Sequence, residues 1–538
     1  TTEIYTLSLH DALPIWLNKK EVISYQYELK NRESNSASRK SYTNADVMYL
    51  LFPDRFADGD PTNNSIEGMP DKMNRENSFG RHGGDIKGII DHLNYLKELG
   101  VTALWTTPLL EDNQPTGSYH QYATTNYYKI DQRFGTNDDY KNMVAKCHQN
   151  GIKVIMDMIP NHCGSAHPWM KDLPFHDWIN GDTVYTQTNY RISTITDPYT
   201  SQFDKNLNSD GWFVSEMPDL NQRNPYMLTY LKQFAIWWVE SSGLDGIRVD
   251  TYPYNDPVKV AEWTKAIREE FPNINIVGEC WQHSVSDVAY WQSGTLNYNG
   301  YDSGLPSVMD FNMHDAISAA FNENEQGWDS GVARLWQKLT QDYLYANPFN
   351  LVIFTENHDT QRFSTVVGND VKKYLLGFTY LLTTRGIPQI YYGSEIMMGG
   401  DKGKGDGDIR RDMPGGWAGD TRSVFTSSGR TETENYVFDY MKKLIHWRTE
   451  NPVIHSGRLL HYIPRDNVYA YFRINTEKTV MVVLNNNTKP MSVDPKFFGE
   501  GTTGFIKGSD VISGKVYELD RPFEVDGKTA VVLELKKL

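Results

Sequence analysis

The sequence predicts an α/β protein: a (β/α)8 barrel with an inserted subdomain after strand 3 and a C-terminal antiparallel β-sandwich. Three observations predict it. From residue 46 to about 450, short apolar runs alternate with amphipathic helical stretches, and the runs number eight. Around residues 163–220 the alternation breaks, in a stretch rich in Asp, Asn, Tyr and Trp that is too long for a simple loop. Beyond about 450 the helical periodicity ends, and β-branched and aromatic runs separated by turn residues take over.

Taken in order, residues 1–16 fit no element of this pattern. They lack the basic start and apolar stretch of a signal peptide and read as an artefactual stretch. Residues 17–40 hold one strand-like piece (22–29) and a polar linker rich in Ser, Asn and Arg. The largest unit, 41–450, opens with a strand over 47–52, a helix over 86–99 and a strand over 101–106. A helix over 138–150 and a strand over 153–158 follow, then the insertion. Alternation resumes with helix 225–242, strand 244–249, helix 257–271 and strand 274–278. Strands over 307–311, 351–355 and 388–392, with a helix over 371–385, complete the set. In the last unit, 451–538, runs at 468–473, 479–484 and 530–535 read as sandwich strands.

At 538 residues the chain is long enough for two or three domains. Its formal charge of −15, from 53 basic and 68 acidic residues, argues against nucleic acid or an anionic membrane as partner and favours a neutral ligand. No run reaches the ~18 apolar residues of a membrane span. Aromatic residues make up 13%; much of that belongs to the core, and sugar clefts also use aromatic faces. The three cysteines, Cys147, Cys163 and Cys280, cannot build a disulfide framework and read as buried thiols.

Polar residues gather just past the C-terminal ends of the barrel strands, where such barrels carry their sites. Asp157, Asn161 and His162 follow the third strand. The fourth ends in Gly246-Ile247-Arg248-Val249-Asp250, the fifth in Gly278-Glu279-Cys280-Trp281, the seventh in Glu356-Asn357-His358-Asp359. Side chains alternate along a strand, so Arg248 and Asp250 share the inward face. Asp250, Glu279 and Asp359 thus converge with one guanidinium. Retaining glycoside hydrolysis needs this kit: a carboxylate to attack the anomeric carbon and a carboxylic acid to protonate the departing oxygen. Arg248 supplies the positive charge beside the nucleophile, and Cys280 and Trp281 give Glu279 the apolar flank that raises an acid's pKa. A single carboxylate at a strand end is more often a helix cap or an ion-pair partner. Four such motifs in order, on the third, fourth, fifth and seventh strands of one barrel, are not.

These motifs resemble those of the α-amylase family, glycoside hydrolase family 13, from about residue 46 to the end. The resemblance implies that Asp250 is the nucleophile, Glu279 the acid/base and Asp359 the transition-state stabiliser. It implies that Arg248, His162 and His358 surround the first sugar. His120 and Tyr122 match a family His-Gly-Tyr in which Gln121 stands for Gly, with the Tyr122 ring against that sugar. Asp406 and Arg410 are similar to a pair that binds the next sugar, and Trp281, with Trp212, would offer further stacking faces. Residues 217–221, Met-Pro-Asp-Leu-Asn, resemble the segment of neopullulanases, cyclomaltodextrinases and maltogenic amylases. Residues 47–59 and 405–417 look like Sus-type neopullulanases, which favours a periplasmic setting while a cytoplasmic one stays open, and 22–29 resembles the last strand of their N-terminal β-domain. The expected partner is an α-glucan oligosaccharide or polysaccharide. Oligomeric state stays open, with a homodimer as one arrangement of the intact protein.

Asp58-Gly59-Asp60-Pro61-Thr62-Asn63-Asn64, with Gly83-Gly84-Asp85 soon after, is either an Asx-rich turn or a site for a hard cation. The resemblance implies Ca²⁺, held by Asp58, Asp60, Asn63, Asn64, the Gly83 carbonyl and Asp85. A second family calcium site uses Asn161, Asp219 and a His whose position is Tyr254 here, so no second ion is expected. No His/Cys spacing suits zinc. Two further readings stay open beside the hydrolase: a transferase or isomerase on the same site, and a non-catalytic amylase-like binding subunit.

Overall fold

The computed structural model describes residues 11–17, 20–27, 31–181 and 183–537, with side chains from residue 31 onward. Strand β1 (Asp11–Leu17) pairs antiparallel with β2 (Lys20–Tyr27). Residues 11–16, expected to match no element, thus form most of β1, and residues 1–10 lie outside the described residues.

The barrel strands are β3 (Met48–Leu51), β4 (Ala103–Thr106), β7 (Lys153–Met158), β8 (Gly246–Val249), β9 (Asn275–Gly278), β10 (Ser307–Val308), β11 (Val352–Phe354) and β12 (Ile387–Tyr391). Between β4 and β7, β5 (Leu110–Glu111) and β6 (Asn126–Ile130) form a small side ladder. The eight barrel strands are parallel in the order β10-β9-β8-β7-β4-β3-β12-β11, and a bridge between Met309 and Val352 joins the two ends. Every residue of β3, β4, β8, β9 and β11 is buried. A parallel sheet covered on both sides leaves no solvent face, which is why these strands read as largely apolar runs.

The connecting helices start where the sequence offers a cap. Asn224 accepts from the Tyr226 and Met227 amides ahead of Pro225–Ser242, and Gly243 ends that helix at φ 79°. Asp256 and Asp370 cap Pro257–Glu270 and Val371–Thr383 in the same way. The helix expected over 86–99 is two, Ile86–Asp91 and Leu93–Leu99. His92 divides them: its ring nitrogen takes the Gly88 carbonyl at 2.8 Å, the acceptor its own amide would use, and that amide bonds Ile89 instead. The strand expected over 307–311 stops at Val308, because the Asp310 side chain accepts from the Met313 amide and opens the helix Phe311–Asn322.

After the long helix Glu432–Glu450 come β13 (Arg458–His461), β14 (Val468–Ile474), β15 (Thr479–Asn485), β16 (Met491–Val493), β17 (Phe505–Asp510), β18 (Val516–Glu518), β19 (Phe523–Val525) and β20 (Thr529–Lys537). Six form one antiparallel sheet, β13-β14-β15-β20-β17-β18, and β16 pairs β19 beside it. Alternate residues serve two cores. Tyr469, Tyr471, Val480, Val482 and Val532 pack into the barrel's apolar cluster, while Ala470, Phe472, Met481, Val483 and Leu533 pack with Val493, Phe523 and Val525. Among the described residues no helix is long and apolar enough to cross a membrane.

Candidate active site

Strand register builds the centre of the site. Asp157 on β7 lies opposite Arg248 on β8, and the ladder runs on through Asp250 N to Met158 O and Glu279 N to Val249 O, each 3.0 Å. Asp250 and Glu279 therefore stand one residue beyond the ends of β8 and β9. Arg248 is buried among three carboxyl groups. Its Nη1 donates to Asp157 Oδ1 and Asp250 Oδ1, each 2.8 Å, and its Nη2 lies 2.8 Å from Glu279 Oε2.

One buried guanidinium cannot balance three buried anions, and burial decides which groups stay neutral. It pushes Glu279 up to about 8, with the charges of Asp250 and Asp359 adding to the rise and Arg248 and the Thr251 amide opposing it. It pushes Asp157 up to about 7 against the pull of Arg248. Thr251 sits at φ 43°, a left-handed backbone rare for a β-branched residue. That turn aims its amide at Glu279 Oε2 (3.0 Å) and its hydroxyl at Asp250 Oδ2 (3.2 Å). The local strain, about 1–3 kcal/mol for such a residue, is held by these contacts.

Asp359 lies across the mouth. Burial works against its ionisation, but neighbouring His358 and the Arg410 guanidinium, 2.7 Å from Oδ1, hold the carboxyl well below the usual range. Arg410 also donates to the His358 carbonyl (2.8 Å) and to Asp406 Oδ2 (3.1 Å), whose other oxygen is paired with Lys402. The Tyr122 ring stacks on His358 at 5.5 Å and 6°, with its hydroxyl 2.7 Å from Nε2. Burial lowers His120 and His358 to about 3 and lowers His162 as well, so these rings are neutral hydrogen-bonding groups at pH 7. Gln121 takes φ 64°, the conformation a Gly would supply, and is held there by its amide on Asp131 (3.2 Å).

The residues singled out around the first two sugars thus come together. Trp281, 39% exposed, lies stacked on Phe311 at 4.9 Å and presents its other face outward. Trp212 does not join them. It is buried within the insertion with its Nε1 on the Asn180 carbonyl, so the stacking role expected of it is corrected. Asp157 carries more than the sequence suggested: besides Arg248 it accepts from Trp105 Nε1 (3.1 Å) and the Tyr122 hydroxyl (3.2 Å). Its signal was the β7–β8 register, not a motif.

The family model of the α-amylase catalytic domain matches residues 50–478, and that of the cyclomaltodextrinase C-terminal domain matches 459–534. The chain belongs to the α-amylase family. It is a glycoside hydrolase, similar to a cyclomaltodextrinase of Thermoanaerobacter pseudethanolicus (31% identical over 460 residues, 83% of this chain and 71% of that one). It is similar also to neopullulanase 2 of Thermoactinomyces vulgaris (30%, 83% of this chain and 70% of that one). Among solved structures it resembles an α-amylase from Geobacillus thermoleovorans complexed with acarbose (TM-score 0.75, 27% identity, 93% of this chain and 100% of that one).

The Asp/Asn loop lies apart from these carboxyls. Asp58 Oδ1, Asn63 Oδ1 and Asn64 Oδ1 are buried without a hydrogen-bond partner, and Asn64 packs directly against Gly83. The Asp85 oxygens accept from the amides of Gly59, Asp60 and Gly88 and from the Asn63 side chain. Asp60 takes the Thr62 amide and hydroxyl. Among the described residues no group of three or more His, Cys, Asp or Glu side chains is arranged to hold a metal. Asn161 and Asp219 likewise keep buried Oδ1 atoms without a partner.

Proposed function

We propose that the chain is a retaining hydrolase of α-1,4-glucosidic bonds in pullulan, cyclodextrins, starch and maltooligosaccharides. The observation that carries this reading is the sharing of one buried guanidinium by Asp250 and Glu279, each 2.8 Å from Arg248. Two carboxyl groups so close to one cation suit the ~5–5.5 Å separation of a nucleophile and an acid/base, not the ~6.5–9.5 Å that leaves room for water in an inverting enzyme. Asp250 attacks the anomeric carbon while Glu279, neutral at pH 7, gives its proton to the departing oxygen. Glu279 then takes a proton from the water that releases the sugar from Asp250. Two inversions at one carbon restore the α configuration. Asp359 supplies negative charge to the oxocarbenium-like transition state.

Around the first sugar, His120, His162 and His358 meet hydroxyl groups as neutral rings, and the Tyr122 ring offers an apolar face. Asp406 and Arg410 serve the second sugar, and Trp281 a sugar on the leaving side. The relatives' names, cyclomaltodextrinase and neopullulanase, support α-glucans as substrates. Pullulan is expected to yield panose and cyclodextrins chiefly maltose, each product first formed as the α anomer by NMR. Maltotriose from pullulan would mean α-1,6 cleavage, and β anomers would end the retaining mechanism. Dominant transfer products at low maltotriose concentration would favour the transferase.

Ca²⁺ is proposed at the Asp/Asn loop, where Asp58, Asp60, Asn63, Asn64, the Gly83 carbonyl and Asp85 would hold it. Three buried, unpartnered oxygens in one loop support a hard cation that takes amide and carboxylate oxygen. When bound it would supply positive charge that ties the loop to the first barrel helix.

A further inference from the structure

A cleft of ≈ 550 Å³ lies between the inserted subdomain and the segment that follows Glu279. Thr196 of the insertion lines it on one side, and its hydroxyl donates to Asp287 on the helix Val285–Ala289 at 3.3 Å. The rest of the wall is the loop after that helix and the turn at 343–346. Ser286 on this wall is seven residues from Glu279, so Ser286 lies within ~25 Å of the acid.

The lining has a distinct chemistry. It contains four tyrosine rings, hydroxyl and amide side chains, one carboxylate (Asp287), and neither lysine nor arginine. Tyr298 and Tyr343 are 64% and 81% exposed beside a fully exposed Leu296, an apolar cluster left uncovered among the described residues. The Thr295 hydroxyl is buried at this wall with no hydrogen-bond partner. An anionic ligand would find no cation here, and a purely apolar one would leave the Thr295 hydroxyl unpaired. A neutral polyhydroxylated chain satisfies both halves of the lining, with rings for its apolar faces and polar groups for its hydroxyls.

We propose that this cleft is a second α-glucan site, separate from the catalytic pocket, that holds one stretch of a long chain while another stretch is cut. It rests on the glycan-cleaving reading above. Tyr298→Ala and Tyr343→Ala remove the rings at positions exposed enough to leave folding intact, and Tyr343→Trp restores a stacking face. Initial rates are measured on soluble starch and on maltotriose. The expected result is a starch KM raised about 2- to 10-fold per ring removed, with kcat and all maltotriose constants unchanged and the Trp variant restored. A starch KM that stays at the wild-type value in the double Ala variant overturns the proposal, as does an equal change on maltotriose, which would assign the rings to the catalytic pocket. A wild-type enzyme inactive on every α-glucan would instead fail the underlying reading.

Discussion

Replacing Glu279 by Gln keeps the shape of the buried side chain and removes its titration. Burial lifts the folded group from 4.5 to about 8, so the native protein keeps a proton that the unfolded chain releases between those values. Where the native state holds more protons than the unfolded one, stability falls as pH rises. The fall is complete above the folded pKa and absent below the unfolded one. At ~1.4 kcal/mol per pKa unit the full displacement has an upper limit of roughly 4–5 kcal/mol, and relaxation around the anion reduces it to a few. Glu279→Gln escapes this loss. With an unfolding entropy of ~2.1 cal/mol/K per residue, 1 kcal/mol moves the Tm of a chain of 538 residues by about 1 °C. The variant should therefore melt with the wild type near about pH 5 and ~2–4 °C above it near about pH 8.5. Scanning both proteins by calorimetry across that range tests this. Parallel Tm curves would refute the placement of a neutral acid at position 279, whatever the activity.

Three further outcomes are expected. The kcat/KM of the wild type should fall as pH rises through about 8, where Glu279 loses the proton it must donate, and Glu279→Gln should lower turnover by roughly 10²–10⁴-fold; a rate flat to about pH 10 would exclude Glu279 as the acid. Chelation should lower Tm by removing a ligand that binds only the folded state, and Asp58→Ala should abolish that sensitivity; identical melting with and without chelator would remove calcium from the loop. Gly88→Ala should cost about 1–3 kcal/mol, because its Cβ would lie 2.0 Å from the Ala57 carbonyl oxygen and the backbone must shift; a neutral result by urea titration would show that the helix is free to move.

The barrel was legible because strands buried on both faces are written as apolar runs, and because Asn224, Asp256 and Asp370 announce the helices between them. The carboxyls at the ends of β8, β9 and the seventh strand were legible for the same reason: a charged residue that closes such a run stands out against it and must be either paired or at work. What escaped was relational. Asp157 meets Arg248 only through inter-strand register, which pairing decides and no single stretch of sequence records. His92 breaks a helix through a side-chain bond to Gly88, and helical periodicity is blind to that competition. Trp212 shows the converse error. An indole suits a sugar platform or a core equally well, and its N–H found the Asn180 carbonyl inside the insertion. The insertion itself was visible only as a loss of pattern, so its cleft with the segment after Glu279 could not be foreseen.

The C-terminal sheet turns one face of β14, β15 and β20 to its own small core and the other to the barrel. Tyr471 reaches the Thr383 hydroxyl, and Arg473 donates to the Thr384 carbonyl at 2.8 Å. A sheet with two employed faces cannot be peeled away without laying bare apolar surface on both partners, so the boundary near Glu450 is a change of architecture and not a seam of independent folding. Heat should melt the two regions in one calorimetric step, and a protease should find no intact barrel to release. Barrel and sheet are therefore kept or lost together.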